Sequence, residues 1–252
     1  MVRARRKIRD ARIPYAVPDA GDLPERLALV LQVVYLVFNE GYGAASGARL
    51  VRADLGDEAI RLGRLLVELM PAQADVAGLL ALMLIQHARR DARVSGEGKL
   101  LTLEHQDRSR WHAMEIAGGQ AILEHALTLR AAGPYQVQAA IASLHAQAGS
   151  TDWKQIALLY GRLRQFWPTA VVELNAAVAV GMADGYVHGL DLIDALAARG
   201  ELATSHYLPA ARADLLRRLG RTEKAVAAFN QALALVSNQV ERDYLLQQRN
   251  AL

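Results

Sequence analysis

Three residue triplets constrain what this chain can fold into. In "WKQIALLYGRLRQFWP", Ile156, Tyr160 and Leu163 are spaced by four and then three. In "YVHGLDLIDALAARG", Gly189, Ile193 and Leu196 repeat that spacing, and in "RTEKAVAAFNQALAL" Ala225, Phe229 and Ala232 repeat it again. Spacings of three and four put each triplet on one face of a helix. The first members lie 33 and 36 residues apart.

A period near 34 residues, with apolar and small residues in register, predicts the second helices of tetratricopeptide-like pairs. The first helices are then "YQVQAAIASLHAQA", "AVVELNAAVAVGM" and "LPAARADLLRRLG", with Pro168 and Gly220 at turns. Stacked pairs of this kind leave a concave groove. Its candidate partner-binding residues are Tyr135, Gln136, Glu173 and Asn175, with Asn175 expected to point into the groove beside Tyr135 or Gln136.

Upstream, the pattern is also helical. "DLPE" (22–25) reads as a capping box with Pro24 in the first turn. It opens a helix running to about Asn39 that is apolar on nearly every face and so expected to be central. Further helices are predicted over about 54–70, 74–92 and 108–130, the last with a possible kink at Gly118–Gly119. No stretch alternates with period two. The expected fold is all-α: a four-helix bundle over 22–132 followed by about three tetratricopeptide-like repeats over 133–252.

Composition narrows the function classes. The chain of 252 residues holds no cysteine, which excludes disulfides, thiolate metal sites and a cysteine nucleophile, and fits a cytoplasmic setting. Its apolar runs, "LALVLQVVYLVF" and "VAGLLALMLI", are shorter than the roughly 18 residues a membrane span requires. None of the seven histidines forms a metal-ligand spacing, and no nucleophile elbow or phosphate-binding loop is present. No catalytic, metal or cofactor site is therefore expected.

The net charge of +3 conceals a basic arm. Residues 1–12, "MVRARRKIRDAR", carry Arg3, Arg5, Arg6, Lys7, Arg9 and Arg12 against Asp10, suited to weak, salt-sensitive contact with DNA phosphates. Two polar clusters remain: "FNEGY", with Asn39, Glu40 and Tyr42, and "QDRSRW", with Asp107, Arg108, Arg110 and Trp111. Glu40 at the end of an apolar helix needs a partner, and Arg108 or Arg110 could supply it. The pairing reads first as a structural lock and second as a ligand site. Asp107 is a natural N-cap for the helix that follows.

The collinear segments "LPERLALVLQVVYLVFNEGY", "EAIRLGRLL", "LLALMLI", "HQDRSRW", "GPYQVQAAIASLHA", "TDW", "LLY", "VVELN" and "RADLLRRLGR" resemble the C-terminal half of extracytoplasmic-function sigma factors that carry a tetratricopeptide-like extension. On this resemblance, residues 1–12 correspond to the end of the region-four recognition helix, and Met1 looks like a truncation. The family usually has Arg after "LN", where this chain has Ala176. The resemblance implies a regulatory, protein-binding part of a transcription initiation factor. The full-length protein would engage RNA polymerase core and promoter DNA, with a small YCII-like (DGPF-type) protein as a further partner and no membrane. The rival readings are a free-standing helical-repeat adaptor and an enzyme built on Glu40, Asp107 and Arg108.

Overall fold

The computed structural model describes residues 21–252, and the basic arm, Arg3 to Arg12, lies outside them. The chain is all-α. Among the described residues there are eleven α-helices and no strand, only the isolated bridges Gly47–Asn238 and Val94–Leu100. No described helix is long and apolar enough to cross a membrane.

The first helix, α1 (Leu23–Tyr42), contains the division between two compact units, residues 1–33 and 34–252. It starts directly after Asp22, whose carboxylate lies 3.6 Å from Arg26. Contrary to the expectation from its apolar sequence, α1 is not shielded on every side. Leu29 is 56% exposed and Leu36 59%, with Val33 also exposed between them. Burial depends on what covers a face, and the composition of α1 says nothing about that. The helix also runs through Gly41 instead of stopping there. A Cβ on Gly41 would sit 2.6 Å from the Gly56 backbone N, so this glycine serves close backbone approach.

The second unit is built around α3 (Ala74–His87), whose side chains are buried on nearly every face. It packs against α2 (Ala53–Leu69), α4 (Ala113–Thr128) and α5 (Pro134–Ala146). Packing therefore continues across residue 133, from the upstream helices into the repeats. Gly119 lets α4 lie against α3, since a Cβ there would meet Ile85 at 2.7 Å, and α4 is unbroken at Gly118–Gly119.

Helices α6 (Trp153–Phe166), α8 (Tyr186–Ala198) and α10 (Thr222–Leu235) carry the three sequence triplets. They alternate with α5, α7 (Ala170–Asp184) and α9 (Tyr207–Arg218), each packing on the helix before and the helix after. Ile156, Leu163, Ile193, Leu196, Ala225, Phe229 and Ala232 are buried, as the spacing requires. Gly189 permits a close crossing of α7 on α8: its Cβ would lie 2.6 Å from the Gly181 Cα. Gly220 turns the chain between α9 and α10 with φ +68°.

A last helix, α11 (Gln239–Asn250), follows the third pair and has no counterpart in the sequence reading. Asn238 caps it and is wholly buried. Its Nδ2 donates to the Ala44 and Arg49 carbonyls, both at 3.0 Å, while its Oδ1 accepts from the Val240 and Glu241 amides. The Gln239 amide adds a bond to the Gly47 carbonyl. The end of the repeat array is thus fastened to the loop that follows α1.

Candidate functional site

The lock expected between Glu40 and the arginines of "QDRSRW" does not form. Glu40 accepts from the Ala45 amide at 3.2 Å, a partner five residues away in the loop that follows α1. A carboxylate at a helix end is satisfied by a nearby amide without a distant cation. Asn39 lies in the last turn of α1, its carbonyl accepting from the Gly43 amide at 2.8 Å. Asp107 does cap a helix, but a short one. Its carboxylate accepts from Ser109 N at 2.9 Å and holds a single 3-10 turn, Arg108–Arg110, before α4 begins at Ala113. Arg110 is exposed near Asp91.

Tyr42, Arg108 and Trp111 are nevertheless gathered at one centre, by two residues the sequence reading passed over. Arg89 donates to the Tyr42 hydroxyl at 3.1 Å, and its guanidinium lies 5.8 Å from the Trp111 ring centroid. The Arg93 guanidinium sits 3.5 Å from the Tyr42 ring centroid. Arg108 covers Trp111 at 4.6 Å and donates to the backbone carbonyls of His145 and Gln147. The charges act on their neighbours. Burial pushes the Tyr42 hydroxyl up, but Arg89 and Arg93 outweigh it and hold the pKa below the ordinary tyrosine value. Burial lowers His145 to about 4, helped by Arg89 and Arg108.

Arg108 also borders a hollow of about 400 Å³. Val178 and Met182 of α7, Asp214, Arg217 and Arg218 of α9, and Tyr244 and Gln248 of α11 line it. Of these, α7 and α9 are first helices of successive pairs, which in such arrays face the groove, and α11 follows the third pair. The opposite side is the chain's own segment Thr102–His105. Glu104 of that segment receives two bonds of 2.9 Å from one Arg218 nitrogen, while Asp214 takes Arg218 Nε at 2.8 Å. Burial works against the Arg218 charge, but Asp214 and Glu104 more than offset it.

The expected groove residues are placed unevenly. Tyr135 is buried edge-on to Trp167 and Tyr35, at 5.1 and 5.7 Å between ring centroids. Gln136 is buried and donates to the Ala131 carbonyl, with its chain against Gly78 of α3. Neither can line a groove. The α5 face that would carry them is instead covered by the upstream helices, a tertiary effect that spacing does not reveal. Glu173 pairs with Arg199 at the end of α8. Asn175 is exposed, and its register puts it on the α7 face that carries Val178 and Met182.

Residues 26–127 match the model of a family of unknown function, DUF6596. Over its whole length the chain is 45% identical to the uncharacterized protein R00370 of Rhizobium meliloti (strain 1021). The chain spans 60% of that relative's length. No solved structure matches.

The matched segment includes Arg89, Arg93 and Trp111 but ends before the repeats that complete the hollow. Among the described residues no group of histidines and carboxylates is placed to hold a metal ion. The carboxylates of the matched segment near the centre are engaged elsewhere: Glu115 with Arg90 at 2.9 Å and Asp91 with His112 at 2.6 Å.

Proposed function

We propose that this chain is the C-terminal regulatory and protein-interaction part of a bacterial extracytoplasmic-function sigma factor, which directs RNA polymerase to promoters. The observation that carries the reading is the hollow lined by α7, α9 and α11, where Arg218 already grips a carboxylate of an irregular segment, Glu104. A partner segment with an acidic side chain can take the Glu104 place by exchanging like for like. The collinear motifs supply the transcription context, and the greater length of R00370 leaves room for further regions in that relative. RNA polymerase core, promoter DNA and a small YCII-like protein are the proposed partners of the full-length protein.

The chain acts by binding rather than by catalysis. Glu40, Asp107 and Arg108, the one candidate catalytic set, engage separate partners: the Ala45 amide, the Ser109 amide and the Gln147 carbonyl. The same hollow also suits a helical-repeat adaptor with no transcription role. In vitro transcription with core polymerase separates the two. The full-length gene product should initiate at its promoter, and Arg218→Ala should change initiation several-fold. A full-length product that lacks polymerase-binding and helix-turn-helix regions, or initiation indifferent to loss of residues 21–252, refutes the sigma-factor reading.

A further inference from the structure

We propose that Arg89 and Arg93, with the Trp111 indole N–H, form a receptor for a small oxyanion, a carboxylate or phosphate group. Both arginines are only 8% exposed, and neither has a carboxylate within ion-pair distance among the described residues. Two like charges four residues apart in a dry setting are unfavourable unless an anion joins them. Arg93 Nη1 is buried without a hydrogen-bond partner, and so is Trp111 Nε1, which can only donate.

The surrounding acids are already committed. Glu115 is held by Arg90, Asp91 by His112 and Glu104 by Arg218. Glu241 meets His206 at 3.3 Å and accepts from the Tyr207 hydroxyl at 3.1 Å. Glu40 accepts from the Ala45 amide in the loop after α1. Glu241 acts on Arg93 only through space, and a positive centre lined by donors with no directly paired carboxylate among the described residues is complementary to a ligand oxyanion. Planar guanidinium forks suit a carboxylate or phosphate in particular. The Tyr42 hydroxyl, held below its ordinary value by Arg89 and Arg93 in spite of burial, reports the same positive field. The proposal does not depend on a transcription role.

Calorimetry and melting curves on the full chain provide the test, with sodium acetate and sodium phosphate added at constant ionic strength against sodium chloride. Saturable binding and a rise in Tm are expected for at least one oxyanion, and whichever binds tighter identifies the group. Arg93→Met should weaken that binding at least tenfold while leaving the ligand-free Tm unchanged or raised, since it removes a buried uncompensated charge. Arg89→Lys keeps the charge without the planar fork and should weaken binding at least fivefold, which covers the case of Arg93→Met failing to fold. The proposal is overturned if neither anion exceeds chloride, or if wild type and variants respond equally, marking an adventitious ion only. It is also overturned if Arg93→Met lowers the ligand-free Tm by several degrees without altering the anion response, making Arg93 structural.

Discussion

Asn238→Ala tests how the repeat array is fastened at its far end. The side chain uses both N–H groups on the Ala44 and Arg49 carbonyls and its oxygen on the Val240 and Glu241 amides, all in a fully buried position. Losing the helix cap costs about 1 kcal/mol. Each carbonyl stripped of its donor away from water adds about 1 kcal/mol. The expected loss is therefore about 3 kcal/mol. For a chain of this size that corresponds to a Tm lower by about 6–12 °C. Asn238→Ser keeps a capping oxygen but not the two donors, so it should recover about 1 kcal/mol of the loss. Thermal melts of the three proteins, with amide exchange read at residues 44–50, provide the assay. A Tm change under about 2 °C for Asn238→Ala would refute the reasoning, as would Ser and Ala variants of equal stability with protection at 44–50 unchanged.

Gly189→Ala should destabilise by about 1–3 kcal/mol by overpacking, because its methyl would meet Gly181 at 2.6 Å, and a denaturant midpoint equal to wild type would contradict the close crossing. His145, lowered to about 4 mainly by burial, stays neutral in the fold while the unfolded chain takes up a proton near its ordinary value of 6.5. Stability should then fall as pH drops from about 6.5 to 4, by about 2–3 kcal/mol, and His145→Gln should flatten that slope in melts across the range. Arg218→Met should release the Thr102–His105 segment, seen as faster amide exchange there and tighter binding of an acidic peptide only if Arg217 and Arg108 suffice to hold it; unchanged exchange would show that Glu104 is not what secures the segment. DNA binding by the whole chain should be weak, non-specific and steeply salt-dependent, and a promoter-specific complex at physiological salt would overturn that expectation.

Helix positions in the repeats were legible because one spacing recurs, and the burial of Ile193, Phe229 and Ala225 follows directly from it. Partner choice was less legible. "HARRDARV" lies at the end of the helix expected over 74–92, yet Arg89 and Arg93 are buried, because Tyr42 and Trp111 reach Arg89 from 47 and 22 residues away in the sequence and Tyr42 also covers Arg93. Nothing local to the run signals that. Glu40 differs in the opposite direction: its place at a helix end suggests a distant arginine, but an amide five residues on is enough. Asn238 lies in "VSNQV", a plausible turn, and only the fold shows that its cap doubles as a clasp on residues 44–49.

That clasp bears on how the hollow works. With α11 fastened to the loop after α1, and Arg218 fastened to Glu104, the first helices of the array face the chain's own 102–108 segment across the cavity instead of open solvent. A partner entering this space must either fit alongside the segment or displace it. Displacement breaks an exposed-to-half-buried ion pair, whose net worth is small because both groups regain water or a new partner. The clasp at Asn238, wholly buried, costs far more to open. An incoming acidic segment is therefore expected to exchange with Glu104 while the Asn238 closure holds, so that binding changes the position of residues 102–108 and, through Arg108, the packing over Trp111.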